Sequence, residues 1–131
     1  MSAMVDTSVW IDFFRGSETI QASILRSSIL DRKTILTGDL IMAELWQGVR
    51  NNRELHRVEG AFSVLPVMQM VGETIARESA DYYRRLRRQG ITVRKTIDCL
   101  IAAWCIHNHV PLLHADRDFI HYAQFGLIEA A

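Results

Sequence analysis

Short apolar runs, each leading into a longer amphipathic stretch, recur from one end of the chain to the other. Ala3-Met4-Val5 reads as a first strand ending at Asp6. Thr7 and Ser8 then offer N-cap hydroxyls to a helix over Val9 to Arg15, which Gly16 stops. The pattern predicts a helix over 18–30, a strand over 34–37, and a helix capped by Asp39 running to Arg50. A further helix is expected over 52–62, a brief strand at Val67-Met68, and a long helix over 71–89 ended by Gly90. Thr96 is expected to cap a helix carrying the apolar run 97–106. A strand at 110–114, a short helix over 116–124 and an edge strand at 126–128 complete the reading. Strands alternating with helices imply βα crossovers. The fold class is therefore α/β, a mostly parallel central sheet flanked by helices. No repeat, low-complexity tract or Pro/Gly linker interrupts the chain, so one domain is expected over 1–131.

In open parallel sheets the functional crevice lies beyond the carboxyl ends of the strands. Asp6 stands at such an end, and Asp116 stands just past another, with Asp118 two residues on. Helix capping is the plain explanation for each taken singly. Glu44 resists such an account. It falls inside the apolar stripe of its helix, Leu40, Ile41, Leu45 and Gly48, where a carboxylate is costly unless paired or bound to a cation. A buried salt bridge or an edge position would also accommodate it. Asp98 opens an otherwise apolar helix, where the helix dipole favours an acid. Four carboxylates gathered in one crevice would repel by about 4 kcal/mol per pair at 4 Å and an effective dielectric of about 20. A divalent cation resolves that repulsion. Oxygen-only ligands suit Mg²⁺ or Mn²⁺, and such sites support phosphoryl-transfer chemistry.

Four blocks, MVDTSVWIDFF, LIMAELWQGV, TIDCLIAAWCI and LLHADRDF, together resemble the motif series of PIN-domain ribonucleases, in particular the VapC toxins of type II toxin–antitoxin pairs. The resemblance runs from Val5 to Leu127. It implies a PIN-like fold with an acidic crevice at the carboxyl ends of the strands. It implies Asp6, Glu44, Asp98 and Asp116 as the catalytic acids, with Asp6, Asp98, Asp116 and Asp118 holding metal. Thr7 or Ser8 matches a hydroxyl that orients water. The implied activity is Mg²⁺-dependent cleavage of RNA by activated water, leaving a 5′-phosphate and a 3′-hydroxyl. A VapB-like antitoxin and a homodimer are the implied protein partners. His114 departs from the pattern, standing where many members carry a small hydroxyl residue; it either approaches substrate or closes its strand. Two other readings stay open: a nuclease for DNA or structured nucleic acid, and a catalytically silent interaction module.

Charge complicates the picture. Fifteen basic and fifteen acidic side chains sum to zero over 131 residues, which by itself argues against a nucleic-acid partner. Yet Arg84, Arg85, Arg87, Arg88, Arg94 and Lys95 lie together with no acid among them. They form either a solvated face or a strip for an RNA backbone, with Arg84, Arg87, Arg88, Arg94 and Lys95 as the contacts. Trp10, Phe13 and Phe14 recur at helical spacing, and Leu45-Trp46 follows Glu44. These are core, or, where exposed, an antitoxin groove of the kind the resemblance implies. Cys99 and Cys105 lie roughly 240° apart on a helix, so they are neither a redox nor a metal pair. Buried thiols in a reducing cytoplasm are expected. No basic leader precedes Asp6, and the longest apolar run is far short of the ~20 residues a membrane span needs.

Overall fold

The β1 strand, Ala3–Val5, occupies an interior position in a parallel four-stranded sheet. A computed structural model gives residues 2–130; Met1 and Ala131, the two ends of the expected 1–131 domain, lie outside the described residues. Helices α1 (Thr7–Arg15) and α2 (Ile20–Leu30) lead to β2 (Ile35–Gly38), then α3 (Asp39–Gln47) and α4 (Asn52–Phe62). The strand β3 (Val67–Met68) follows, then α5 (Glu73–Arg88), α6 (Thr96–Asn108), β4 (Leu112–Leu113) and a 3-10 helix, Arg117–Phe125. The strand order is β3-β2-β1-β4. Met4 pairs with both Leu36 and Leu112, and Val5 with Leu113. This register places the carboxyl ends of β1, β2 and β4 side by side.

Met4, Val5 and Leu112 are buried at the centre of the sheet. Helix α6 buries residues on every side, Cys99 and Ile101 through Cys105 among them, as an all-round apolar helix must. Amphipathic α5 packs on it and turns its arginines outward. Trp10 lies within 6 Å of the Phe13, Phe14 and Phe62 ring centres, which locks α1 to α4. Both cysteines are free and buried, and the Cys99 thiol donates to the Ser79 carbonyl.

Several expected boundaries move for local reasons. Asp6, not Thr7 or Ser8, caps α1, because its carboxylate accepts the Ser8 amide. Asp39 is the first residue of α3, and its carboxylate accepts the Leu40 and Met70 amides. That helix ends at Gln47 rather than Arg50, since the Gly48 and Val49 amides turn back to Leu45 and Trp46. Thr19 caps α2, which begins at Ile20 rather than Glu18. Helix α5 begins after Gly72 (φ 111°) and ends at Arg88, and Gly90 (φ 79°) follows as expected. Thr96 lies inside α6 and caps nothing. The strand expected over 110–114 narrows to Leu112–Leu113, and the helix expected after Asp116 is a 3-10 helix with Asp116 as its cap. Residues 126–128 form no strand; the chain pairs with β4 at a single parallel bridge, Leu112 to Glu129.

Gly38 ends β2 against Met70, which is fully buried. A Cβ on Gly38 would fall 2.0 Å from the Met70 sulfur and 2.6 Å from its Cγ. Gly38→Ala should therefore cost about 1–3 kcal/mol by overpacking. Urea denaturation of the variant beside the parent protein measures it, and an unchanged midpoint would show that Met70 repacks freely.

Candidate metal centre

The strand ends and two helices bring the sequence-predicted acids together. Carboxylate oxygens of Asp6, Glu44 and Asp98 lie within 4.8 Å of one another. Oxygens of Asp98, Asp116 and Asp118 form a second such group, so Asp98 is common to both. Asp6 projects from the end of β1, Glu44 from the second turn of α3, Asp98 from the first turn of α6, and Asp116 from just beyond β4. Asp6 is held by its neighbours: Oδ2 accepts the Ser8 amide at 3.0 Å and the Ser8 hydroxyl at 2.6 Å. The Ser8 hydroxyl in turn accepts the Ala115 amide at 3.0 Å, which ties the ends of β1 and β4 together. The Thr7 hydroxyl donates to Glu44 Oε1 at 2.7 Å.

Asp6 Oδ1 is buried and has no hydrogen-bond partner among the described residues. An orphaned carboxylate oxygen facing other carboxylates is costly unless a cation meets it. The electrostatics agree. Burial raises the Asp98 carboxyl to about 7, with the charges of Asp6, Glu44 and Asp116 adding to it and Lys95 opposing. Burial also raises Asp6, against the hydrogen bonds from Ser8 and Thr7. Glu44 is raised by burial and by Asp6, against the Thr7 bond. Every nearby donor of the first group is oxygen, so the residues fit a hard divalent cation.

The other predicted residues sort differently. The hydroxyl protons of Ser8 and Thr7 go to the carboxylates of Asp6 and Glu44, so both side chains position acids of the crevice. Arg94 reaches across to Asp118, and its guanidinium grips both carboxylate oxygens at 2.9–3.0 Å. That contact holds the Asp118 carboxyl below its ordinary range, and Asp118 is engaged with a cation of the chain itself. Arg84 and Arg85 pair with Asp81. Arg87 lies over the Tyr83 ring, while Arg87, Arg88 and Lys95 carry no ion pair among the described residues. His114 closes its strand, with its ring against Phe119 and Nε2 2.7 Å from Glu129.

Of the aromatic set, Trp10 (1% exposed) is core, and Leu45 (6% exposed) shows only an edge. Phe13, Phe14 and Trp46 are half-buried. A groove of about 350 Å³ has only Phe14 and Leu45 of this set in its lining, with Ile11 and Val49 along it, Arg50 and Arg57 at its rim, and Glu44 in its wall. Sequence reasoning missed Ile11, Val49 and the two arginines. The signal for Ile11 was its i, i+3 spacing to Phe14; Val49 and Arg50 follow a helix end that the pattern misplaced, and Arg57 lies within α4.

The PIN domain family matches residues 3–124. VapC ribonuclease Mb1587 of Mycobacterium bovis is 31% identical over 98% of this chain and 96% of its own. Among solved structures, VapBC-1 from nontypeable Haemophilus influenzae superposes with a TM-score of 0.76 at 19% identity, covering 99% of this chain and 97% of that one. VapBC2 from Rickettsia felis, bound to a DNA fragment from its promoter, gives 0.74 at 14% identity, covering 99% and 98%. No helix among the described residues is long and apolar enough to cross a membrane.

The raised Asp98 carboxyl has a consequence for stability. An unfolded aspartate titrates near 3.9, so the folded state binds the proton more tightly than the unfolded chain does. The resulting penalty is absent below that value, grows as pH rises, and is complete above about 7. The metal-free protein should thus become more stable as pH falls from 8 to about 5.5, with about 2–4 kcal/mol attached to Asp98. Asp118 and Glu54, both held low, lose their contributions only at more acidic pH. Thermal melts in EDTA should show Tm rising over that interval, and Asp98→Asn should flatten the rise. A Tm that drops as pH is lowered from 8 to about 5.5 would contradict the burial of these charges.

Proposed function

The chain belongs to the VapC group of the PIN-domain family, and from that premise we propose that it is the toxin of a toxin–antitoxin pair, an endoribonuclease dependent on Mg²⁺ or Mn²⁺. The observation that carries this reading is the gathering of Asp6, Glu44 and Asp98 oxygens within 4.8 Å of one another, with Asp6 Oδ1 buried and unpartnered among the described residues. Asp6, Glu44 and Asp98 would hold the cation, with Asp116 the fourth acid of the crevice beside them. When bound, it supplies a Lewis acid that lowers the pKa of water and offsets charge developing on the phosphate. The chain's own residues set the geometry for this. Ser8 fixes one oxygen of Asp6 and leaves the other free, and Thr7 does the same for Glu44. Arg87, Arg88 and Lys95 offer unpaired positive charge for the RNA backbone on the side of the crevice where α5 ends and α6 begins. The name of the Mycobacterium bovis relative, a ribonuclease, supports RNA as the substrate.

The groove beside α1, α3 and α4 suits an amphipathic antitoxin segment, with apolar residues along it and arginines at the rim. Because Glu44 lines both groove and acid cluster, a segment seated there would also cover the crevice. A VapB-like partner is supported by the solved complexes that share the fold. The homodimer and the single-domain organisation over 1–131 belong to the same reading.

Purified protein should cleave RNA with Mg²⁺, and EDTA should abolish cleavage until Mg²⁺ is restored. Asp6→Asn and Asp98→Asn should each lose more than the ~10–100-fold typical of an outer-shell change. Cleavage indifferent to chelator and to both variants would overturn the mechanism. Arg88→Ser and Lys95→Ser should each weaken RNA binding and lower the salt slope of log affinity by about 0.7, one phosphate contact apiece. Filter binding on the Asp6→Asn background measures this, and an unchanged slope would remove those residues from the interface.

A further inference from the structure

The crevice holds two groups of acids, and the chain treats them differently. The first, Asp6, Glu44 and Asp98, has no cationic side chain within ion-pair distance among the described residues, although Lys95 stands near it. The second, Asp98, Asp116 and Asp118, already has one. Arg94 Nε and Nη2 approach both Asp118 oxygens, at 3.0 Å and 2.9 Å, in a forked, charge-assisted pair. The fork engages both oxygens of that carboxylate and sets a fixed positive charge beside them.

Both partners of the pair are held from behind. Arg94 lies on the segment between α5 and α6, where Ile91 and Val93 pack against the core and the Ile91 amide bonds to the Leu86 carbonyl. Asp118 is fixed by its own amide, which donates to Asp116 Oδ1 at 2.9 Å. The guanidinium therefore does not arrive at Asp118 by chance rotation of a long side chain alone. Its backbone is set beside the acid, and its planar, permanently charged head matches a carboxylate better than an ammonium would.

We infer that Arg94 is an internal counter-ion that occupies the second cation position, so that this chain binds a single divalent ion, at Asp6, Glu44 and Asp98. Arg94 is then a residue that determines metal number, acting through Asp118 and not on the substrate. It also explains why Asp118, two residues beyond Asp116, can sit in an acid cluster without a second metal to neutralise it. A divalent ion placed at Asp116 and Asp118 would have to expel the guanidinium or share the carboxylate with it, against like-charge repulsion.

The inference rests on the metal-dependent reading of the site, and the test separates the two. Mn²⁺ binding to the full chain is followed by electron paramagnetic resonance, which counts bound ions without reference to activity. The parent protein should saturate at one Mn²⁺ per chain. Arg94→Gln should saturate at two, and the double variant Arg94→Gln, Asp118→Asn should return to one. Arg94→Lys, which keeps the charge, should stay at one. Arg94 is 72% exposed, so these variants should melt near the parent protein. Two ions on the parent protein, or one on a folded Arg94→Gln, would overturn the role assigned to Arg94 while leaving the metal site standing. Absence of Mn²⁺ binding to the parent protein and to Asp6→Asn alike would overturn the metal site itself, and the inference with it.

Discussion

Mutual repulsion among carboxylates is the constraint around which this structure is arranged. Asp6, Glu44, Asp98, Asp116 and Asp118 bring their oxygens into two overlapping groups, and Asp6 and Asp98 are buried while doing so. No folding force gathers such charges; each pair opposes the fold by several kcal/mol at interior dielectric. They stay together because their backbones are fixed by elements that are stable for other reasons. The central register of β1 against β2 and β4 and the apolar packing of α6 set the positions, and the acids must accept them.

Two hydroxyls show how the strain is contained. Ser8 and Thr7 follow Asp6 in the first turn of α1, and each donates its proton to a carboxylate on the crevice wall. Ser8 also receives the Ala115 amide, so one side chain couples two strand ends that are far apart in sequence. These bonds lower the cost of ionising Asp6 and Glu44, yet burial still wins, and both carboxyls stay raised. The remaining imbalance is what a bound cation would remove, and this makes the site's chemistry and its stability two aspects of one interaction.

A net charge of zero conceals this arrangement. Acids collect at the strand ends, and arginines collect on α5 and the segment after it. The sorting is incomplete in an informative way. Arg84 and Arg85 answer Asp81 on their own helix, and Arg94 crosses to Asp118, which leaves Arg87, Arg88 and Lys95 without ion pairs among the described residues. A basic stretch that looks uniform along the chain therefore divides in space into structural, counter-ionic and unpaired members.

The local pattern determined the elements and their order, because alternation, helical spacing and caps are short-range properties. It also marked Asp6, Glu44, Asp98 and Asp116, since an acid at a strand end or within an apolar stripe is conspicuous without knowing its neighbours. Helix ends shifted where a backbone amide found a closer partner, as at Asp6 and Gly48. What the chain alone left open was pairing. That Arg94 meets Asp118, that Thr7 reaches Glu44, that Trp10 sinks into the core while Ile11 lines a groove, all depend on which segments the sheet register and the α5–α6 packing bring side by side. Those contacts join residues tens of positions apart, and only the folded backbone sets the distances that decide between them.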